Sequence, residues 1–118
     1  MIVRSEILFV APSAQVYAEE TQGRMPPLGL IYMHNELKRH GIGSDIHDFA
    51  LPEYTRERLF ETMERERPRA VGVSFVTDIR FEAFQLLDEL RRRFPDVVTI
   101  AGGPHPSLAD EDTIRPNR

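Results

Sequence analysis

The sequence predicts a single α/β domain built around a parallel β-sheet. Four short apolar runs recur along the chain, and a helical pattern lies between each run and the next. A crossover helix between successive strands makes those strands parallel, with right-handed connections. The chain has 118 residues, of which 41% are hydrophobic and 29% charged, as expected of one folded domain.

The four predicted strands are each bounded by turn residues. Three are continuous apolar runs rich in β-branched residues, which are typical of parallel strands covered on both faces. The second strand alternates polar and apolar residues, which indicates a position nearer an edge of the sheet. The predicted strands are Ile7–Ala11, Asp45–Phe49, Ala70–Phe75 and Val97–Ala101.

Three helices are predicted between these strands. They cover Pro27–His40, Glu57–Arg67 and Asp78–Phe94. Gly41 supplies a stop for the first helix, Pro68 ends the second, and Asp78 is predicted to cap the third. Apolar residues of the third helix recur at helical spacing and predict a core-facing stripe. Its aromatic members are Phe81, Phe84 and Phe94.

The expected architecture is a three-layer, flavodoxin-like (Rossmann-like) sandwich with strand order 2-1-3-4. The spacing of the strands predicts a further strand near residue 120, so the fold is expected to lack its fifth strand. We predict one domain over residues 1–118, with its core at 6–106 and a tail or the start of a helix at 107–118. The fourth strand would then be an uncharged, apolar edge, which predicts either a homodimer through that edge or marginal solubility.

Charge and cysteine content exclude several classes of function. Fifteen Lys and Arg against nineteen Asp and Glu give a net charge of −4, which does not favour nucleic acid or an anionic membrane. The chain has no cysteine, so it cannot form disulfides or hold a Cys-ligated cluster. No apolar run approaches the roughly 20 residues that span a bilayer, and no signal-peptide core is present. A cytoplasmic location is expected.

The loops at the carboxyl ends of the strands, where ligands of parallel sheets bind, lack several common motifs. Pro12–Pro27 has no acidic residues directly after the strand, as a response-regulator receiver needs, and no phosphate loop of a flavodoxin. It also lacks the three spaced glycines of a dinucleotide fingerprint. A P-loop lysine is absent as well, because the single lysine, Lys38, lies inside a predicted helix.

Three ordered motifs resemble the cobalamin-binding domain at the N-terminus of cobalamin-dependent radical S-adenosylmethionine enzymes. Pro26–Tyr32 followed by Leu37–Gly41 is similar to the first helix of that family. Val71–Ser74 with Thr77 is similar to its third strand and loop, and Ile100–Pro106 to its fourth strand and the turn under the corrin. Three motifs in the right order are far more specific than any one of them alone.

The resemblance implies cobalamin as the cofactor, with the corrin over Gly102–Gly103–Pro104 and the tail along Ser74–Thr77. The two glycines remove side chains where the ring would approach; taken without the neighbouring motifs, they indicate a simple turn at a strand end. Two interpretations of Ser74 and Thr77 are open. Either both form hydrogen bonds with the cofactor, or Ser74 is a buried strand residue and Thr77 caps the third helix. We expect Gly103→Leu to abolish binding and leave the fold intact. The predicted cofactor-binding residues are Pro27, Leu28, Gly29, Ser74, Phe75, Val76, Thr77, Gly102, Gly103, Pro104 and His105.

The resemblance also implies that the cofactor is held base-off, without a protein histidine on the cobalt. The Asp-x-His-x-x-Gly motif of His-ligating carriers is absent from Pro12–Pro27. Asp45–Ala50 mimics its spacing, but alanine replaces the glycine and the segment is predicted to be a strand. His47 is therefore interpreted as a strand residue. His105 either shapes the pocket or is a solvated turn residue, and no metal ligand is predicted.

Three functions are consistent with these observations. The first is a cobalamin-binding module that serves a radical S-adenosylmethionine methyltransferase or cyclase domain, in cis or in trans. The second is a fragment of such an enzyme, but its catalytic domain needs three cysteines, so catalysis cannot reside in this cysteine-free chain. The third is a ligand-free, flavodoxin-like interaction or scaffold domain. No catalytic residue is predicted.

Overall fold

The computed structural model describes residues 5–12 and 27–103, which form four strands, three helices and one short 3-10 turn. The strands are β1 (Ile7–Ala11), β2 (Ser44–Asp48), β3 (Ala70–Ser74) and β4 (Val98–Gly102). The helices are α1 (Leu28–Arg39), α2 (Arg56–Glu66) and α3 (Arg80–Arg93), with the 3-10 turn Thr77–Ile79 before α3. All neighbouring strands are parallel, in the order β2-β1-β3-β4. The predicted α/β class, strand order and edge position of the second strand are confirmed.

Helices cover both faces of the sheet, which confirms the predicted three layers. One face, called the core face below, packs apolar strand residues against α2 and α3. Its buried members are Leu8, Val10, Val71 and Val73 from the strands, Leu59 and Met63 from α2, and Leu86 and Leu90 from α3. The crossover from β1 to β2 runs opposite to the one from β2 to β3, so right-handed connections place α1 and α2 on opposite faces.

The second face of the sheet, called the α1 face below, carries α1. Successive residues of a strand point to opposite faces, so Phe9 points away from the core face. Its ring lies over Gly72, with Cδ1 only 3.3 Å from the position that a Cβ on Gly72 would take. Nδ1 of His34 in α1 lies 2.6 Å from Oγ of Ser44, which is in register with Ile7 on this same face. Leu30 is the buried residue of α1.

The helix ends follow local sequence signals. Oγ1 of Thr55 accepts a hydrogen bond from the Arg58 N–H at 3.2 Å and so caps α2. Arg67 adopts the left-handed conformation (φ 47°) directly before Pro68, which confirms that the helix stops there. Gly41 follows α1 with φ 75°, a conformation that glycine adopts without steric cost, so its predicted role as a stop is confirmed.

Two expectations about α3 are wrong. Asp78 lies inside the 3-10 turn, and the N-cap position is Ile79, with no side-chain cap hydrogen bond. Phe81 is 63% exposed, because it lies in the first turn of α3 at the rim of the sheet, beneath the Arg80 guanidinium. Phe84 and Phe94 do pack against the core, as predicted. The buried residues of the helix are Ala83, Leu86, Leu87 and Leu90.

Candidate functional site

The carboxyl ends of β3 and β4 lie side by side and form the centre of the candidate site. Ser74 and Gly102 are partners in the parallel register. One residue further, the Phe75 N–H donates a hydrogen bond to the carbonyl of Gly102 at 3.1 Å. Two separate sequence motifs therefore meet at one edge of the sheet, where ligands of parallel α/β folds bind. The residues they contribute are Ser74, Phe75, Gly102 and Gly103.

Gly103 is required by the protein's own backbone. Its φ is 96°, and a Cβ built on it would lie 2.7 Å from Oγ of Ser74. That atom would also lie 2.8 Å from the nitrogen and 2.9 Å from the oxygen of Phe75. A side chain here would displace the start of the β3 loop. The expectation that Gly103→Leu leaves the fold intact is therefore wrong.

Among the described residues, the Cβ position of Gly102 is open, in contrast to that of Gly103. No atom of the described residues lies within 4 Å of the position that its Cβ would occupy. Since Gly102 is in register with Ser74, and Val73 faces the core, this open space lies on the α1 face at the carboxyl edge. The backbone of Gly102 can thus be approached closely by a broad, flat ligand, as the sequence motif suggested for the glycine pair.

Apolar side chains stand at the rim of the site. Leu28 and Val76 are both exposed, one at the start of α1 and the other after β3. Gly29, in the first turn of α1, leaves open space where its Cβ would be, at least with respect to the described residues. Phe75 differs from these residues, because its side chain is buried and packs edge-to-face against Phe84 at 5.7 Å. Phe75 can therefore offer only its backbone to a ligand.

The other predicted site residues have simpler placements. Pro27 is the N-cap of α1, and its carbonyl accepts a hydrogen bond from the Ile31 N–H at 3.0 Å. Thr77 begins the 3-10 turn that leads into α3. Pro104 and His105 lie outside the described residues.

Two residues on the α1 face were not predicted from the sequence. Asp48 ends β2 in register with Ala11, and its Oδ1 accepts a hydrogen bond from the Ala50 N–H at 3.0 Å, which closes the turn after the strand. Phe9 packs over Gly72 on the same face. The signal for Phe9 was available in the alternation of β1, in which Phe9 must point away from the face of Leu8.

His47 lies in β2, as predicted, and on the face opposite to the site. It is in register with Val10, which belongs to the core face, whereas Ser74 and Gly102 lie on the α1 face. Its ring is buried and meets the Tyr54 ring edge-to-face at 5.1 Å. This placement separates the histidine from the open space at Gly102.

The electrostatic surroundings of His47 favour a neutral ring. Neither ring nitrogen has a hydrogen-bond partner within the described ranges, and Nε2 lies 3.7 Å from Oδ2 of Asp45. Burial lowers the pKa of His47; Asp45 acts in the opposite direction, and Arg58 and Arg65 lower it further. The ring is therefore uncharged at neutral pH.

The part of the chain that the structure describes contains no cluster of three His, Asp or Glu side chains able to hold a metal ion directly. Within the same residues, no helix has the length and apolar character to cross a membrane.

Fold and site together define a parallel α/β domain in which the predicted ligand-binding residues meet at the carboxyl ends of β3 and β4. The chain belongs to the B12 binding domain family, whose profile matches residues 14–117. It is also 27% identical over 100 residues to the anaerobic magnesium-protoporphyrin IX monomethyl ester cyclase of Rubrivivax gelatinosus. That match covers 84% of this chain and 18% of the cyclase. No solved structure matches the chain.

Membership of this family establishes cobalamin, or a related corrinoid, as the cofactor and confirms the resemblance seen in the sequence. The residues present fit such a group. A corrin is a broad and partly apolar disc; no atom of the described residues lies within 4 Å of the Cβ position of Gly102, and Leu28 and Val76 offer exposed apolar side chains.

Proposed function

We propose that the protein holds cobalamin base-off at the carboxyl edge of its sheet and presents it to a radical S-adenosylmethionine methyltransferase or cyclase domain. The observation that carries this proposal is the open space at Gly102, which lies beside the ends of β3 and β4. When bound, cobalamin supplies a cobalt centre for radical or group-transfer chemistry. This domain would bind and orient that centre.

Different residues of the chain have different roles in binding the cofactor. Gly102 lets the ligand approach the backbone, and the polar side chain of Ser74, in register with it, lies at the same edge for contact with the amides or the nucleotide tail. Leu28 and Val76 offer apolar contact that excludes water from the rim of the ring. Gly103 holds the turn against Phe75 and so keeps these groups in place.

Catalysis itself is assigned to another domain. The chain has no cysteine to ligate the iron–sulfur cluster that a radical S-adenosylmethionine domain requires. The similarity to the cyclase covers only 18% of that protein, so a comparable full-length enzyme has ample chain for a catalytic domain. We propose a radical S-adenosylmethionine domain as the partner, in cis or in trans.

Replacing Gly102 with leucine is expected to weaken binding of hydroxocobalamin at least tenfold, about 1.4 kcal/mol or more, and to leave the thermal midpoint nearly unchanged. The reason is that the leucine side chain enters space that the described residues leave open. Binding is measured by visible absorbance after gel filtration, and folding by circular dichroism. Val98→Leu, on the same face at the other end of β4, is the matched control. Wild-type affinity in a folded Gly102→Leu protein contradicts the site assignment, and a wild-type protein that binds nothing supports the scaffold alternative.

Bound cobalamin is expected to show a base-off visible spectrum that does not change when His47 is replaced with leucine. His47 is buried on the core face, away from the open space at Gly102. The same base-off spectrum is expected for His105→Ala, which removes the histidine nearest to the glycine motif in the sequence. A His-ligated spectrum that disappears in either variant would show that the protein supplies an axial ligand.

A further inference from the structure

A cavity of about 320 Å³ lies at the amino ends of β1 and β2, at the edge of the sheet opposite to the candidate site. This volume is at the lower end of the range for small-molecule sites. The five residues of β1 separate the cavity from the carboxyl edge by roughly 15 Å. Its polar side chains are Ser5, His34, Lys38 and Ser44, and two glycines, Gly41 and Gly43, also line it.

Hydrogen-bond donors from α1 and β2 converge on this cavity. His34 and Lys38 are four residues apart in α1 and so lie on the same side of the helix. Nδ1 of His34 lies 2.6 Å from Oγ of Ser44, which brings this side of α1 to the start of β2. The proton of that hydrogen bond belongs to one atom or the other, and in each case the pair keeps a further donor. The free donor is Nε2–H of His34 in the first case and the hydroxyl of Ser44 in the second.

Lys38 supplies the positive charge of the cavity. Its ammonium group makes no ion pair with another of the described residues. Glu36, in the same turn of α1, is engaged instead by Arg39 at 3.1 Å and by His40 at 3.3 Å. No Asp or Glu is among the described residues that line the cavity. The charge of Lys38 is therefore available to a ligand.

The C-terminal end of α1 borders the cavity, and backbone carbonyls at such an end carry partial negative charge. Two of these carbonyls are already occupied by backbone donors. The Ile42 N–H donates to the carbonyl of Leu37 at 3.0 Å, and the Gly41 N–H donates to that of Lys38 at 3.1 Å. The full charge on the Lys38 side chain exceeds the roughly half-unit charge of a helix end. The cavity is thus positively charged and rich in donors.

We propose that this cavity binds a small oxyanion, either free phosphate or the phosphate group of a short phosphomonoester. The Lys38 ammonium and the free donor of the His34–Ser44 pair bond its oxygens, and such charge-assisted hydrogen bonds are the strong ones in proteins. The net charge of the chain is −4, so attraction of an anion has to come from this local arrangement. The site is separate from the proposed cobalamin site and does not depend on it.

Titration with sodium phosphate at constant ionic strength, followed by NMR of the backbone amides, tests the proposal. We expect saturable shifts at Gly43 and Ser44. Lys38→Gln is expected to weaken binding about tenfold, because a hydrogen bond to a charged group is lost. Arg39→Gln removes the same charge from the next residue, which is exposed and paired with Glu36, and is expected to change the affinity less than about twofold. Shifts that do not saturate, or equal weakening by the two substitutions, indicate non-specific attraction and overturn the proposal.

Hydroxocobalamin distinguishes this site from the cofactor site, because the nucleotide tail of cobalamin carries a phosphate of its own. We expect inorganic phosphate to bind with the same affinity in the presence of saturating hydroxocobalamin. Gly102→Leu, at the opposite edge of the sheet, is expected to leave the phosphate titration unchanged. Displacement of phosphate by hydroxocobalamin would place the anion at the cofactor site and overturn the separate site. A protein that binds phosphate at Gly43 and Ser44 but binds no cobalamin supports this site and contradicts the proposed cofactor function alone.

Discussion

Replacing Gly103 with alanine is expected to lower the free energy of unfolding by about 3 kcal/mol, the upper end of the range for backbone strain at a single residue. Alanine rarely adopts a φ of 96°, and its Cβ would lie 2.7–2.9 Å from Ser74 Oγ and from two backbone atoms of Phe75. Phe75 cannot simply retreat, because its N–H is bonded to the carbonyl of Gly102. Relief of the contact would therefore break the connection between β3 and β4 at the site.

Gly102→Ala is the matched control for this prediction, since it adds the same methyl group to the neighbouring residue. Its Cβ meets no atom of the described residues within 4 Å, and alanine is favoured over glycine inside a strand by about 0.5–1 kcal/mol. Urea unfolding should therefore show Gly103→Ala strongly destabilised and Gly102→Ala unchanged or slightly stabilised. Equal effects of the two substitutions would contradict the separate roles assigned to the two glycines.

Much of the fold could be predicted from the sequence because the signals are local. Continuous apolar runs between turn residues indicated parallel strands, and the polar alternation of the second strand indicated its edge position. Right-handed crossovers then limited the arrangements of the helices to a few. The candidate site is predicted at this edge for a similar reason, because ligands of parallel sheets bind at the carboxyl ends of the strands.

The roles of individual residues depend on register and packing, which a linear pattern does not contain. Gly102 and Gly103 are equivalent in the motif, but only the second has a positive φ and backbone atoms within 3 Å of the position that a Cβ would take. Phe75 was assigned to the cofactor because it lies in the β3 loop, yet its side chain packs into the core. For His47, the pairing with Val10 resolves what the spacing of Asp45–Ala50 left ambiguous, since it places the ring on the core face.

The burial of aromatic residues also depends on packing that the sequence pattern does not contain, and two phenylalanines allow a direct test. Phe81 was predicted to be a core residue from helical spacing, but the helix begins only at Arg80 and this first turn reaches the rim of the sheet. Phe9, in contrast to Phe81, is buried. It is 4% exposed, and it is the large apolar side chain that fills the α1 face over Gly72.

Phe9→Ala is expected to lower the free energy of unfolding by about 3–5 kcal/mol, because it removes a buried ring and leaves a cavity above Gly72. Phe81→Ala makes the identical chemical change at a 63% exposed position and is expected to alter stability by no more than about 0.5 kcal/mol. Urea unfolding of the two variants beside the wild type measures both values. If Phe81→Ala costs as much as Phe9→Ala, the rim position of Phe81 is wrong. If Phe9→Ala is tolerated, the α1 face is not held together by this ring.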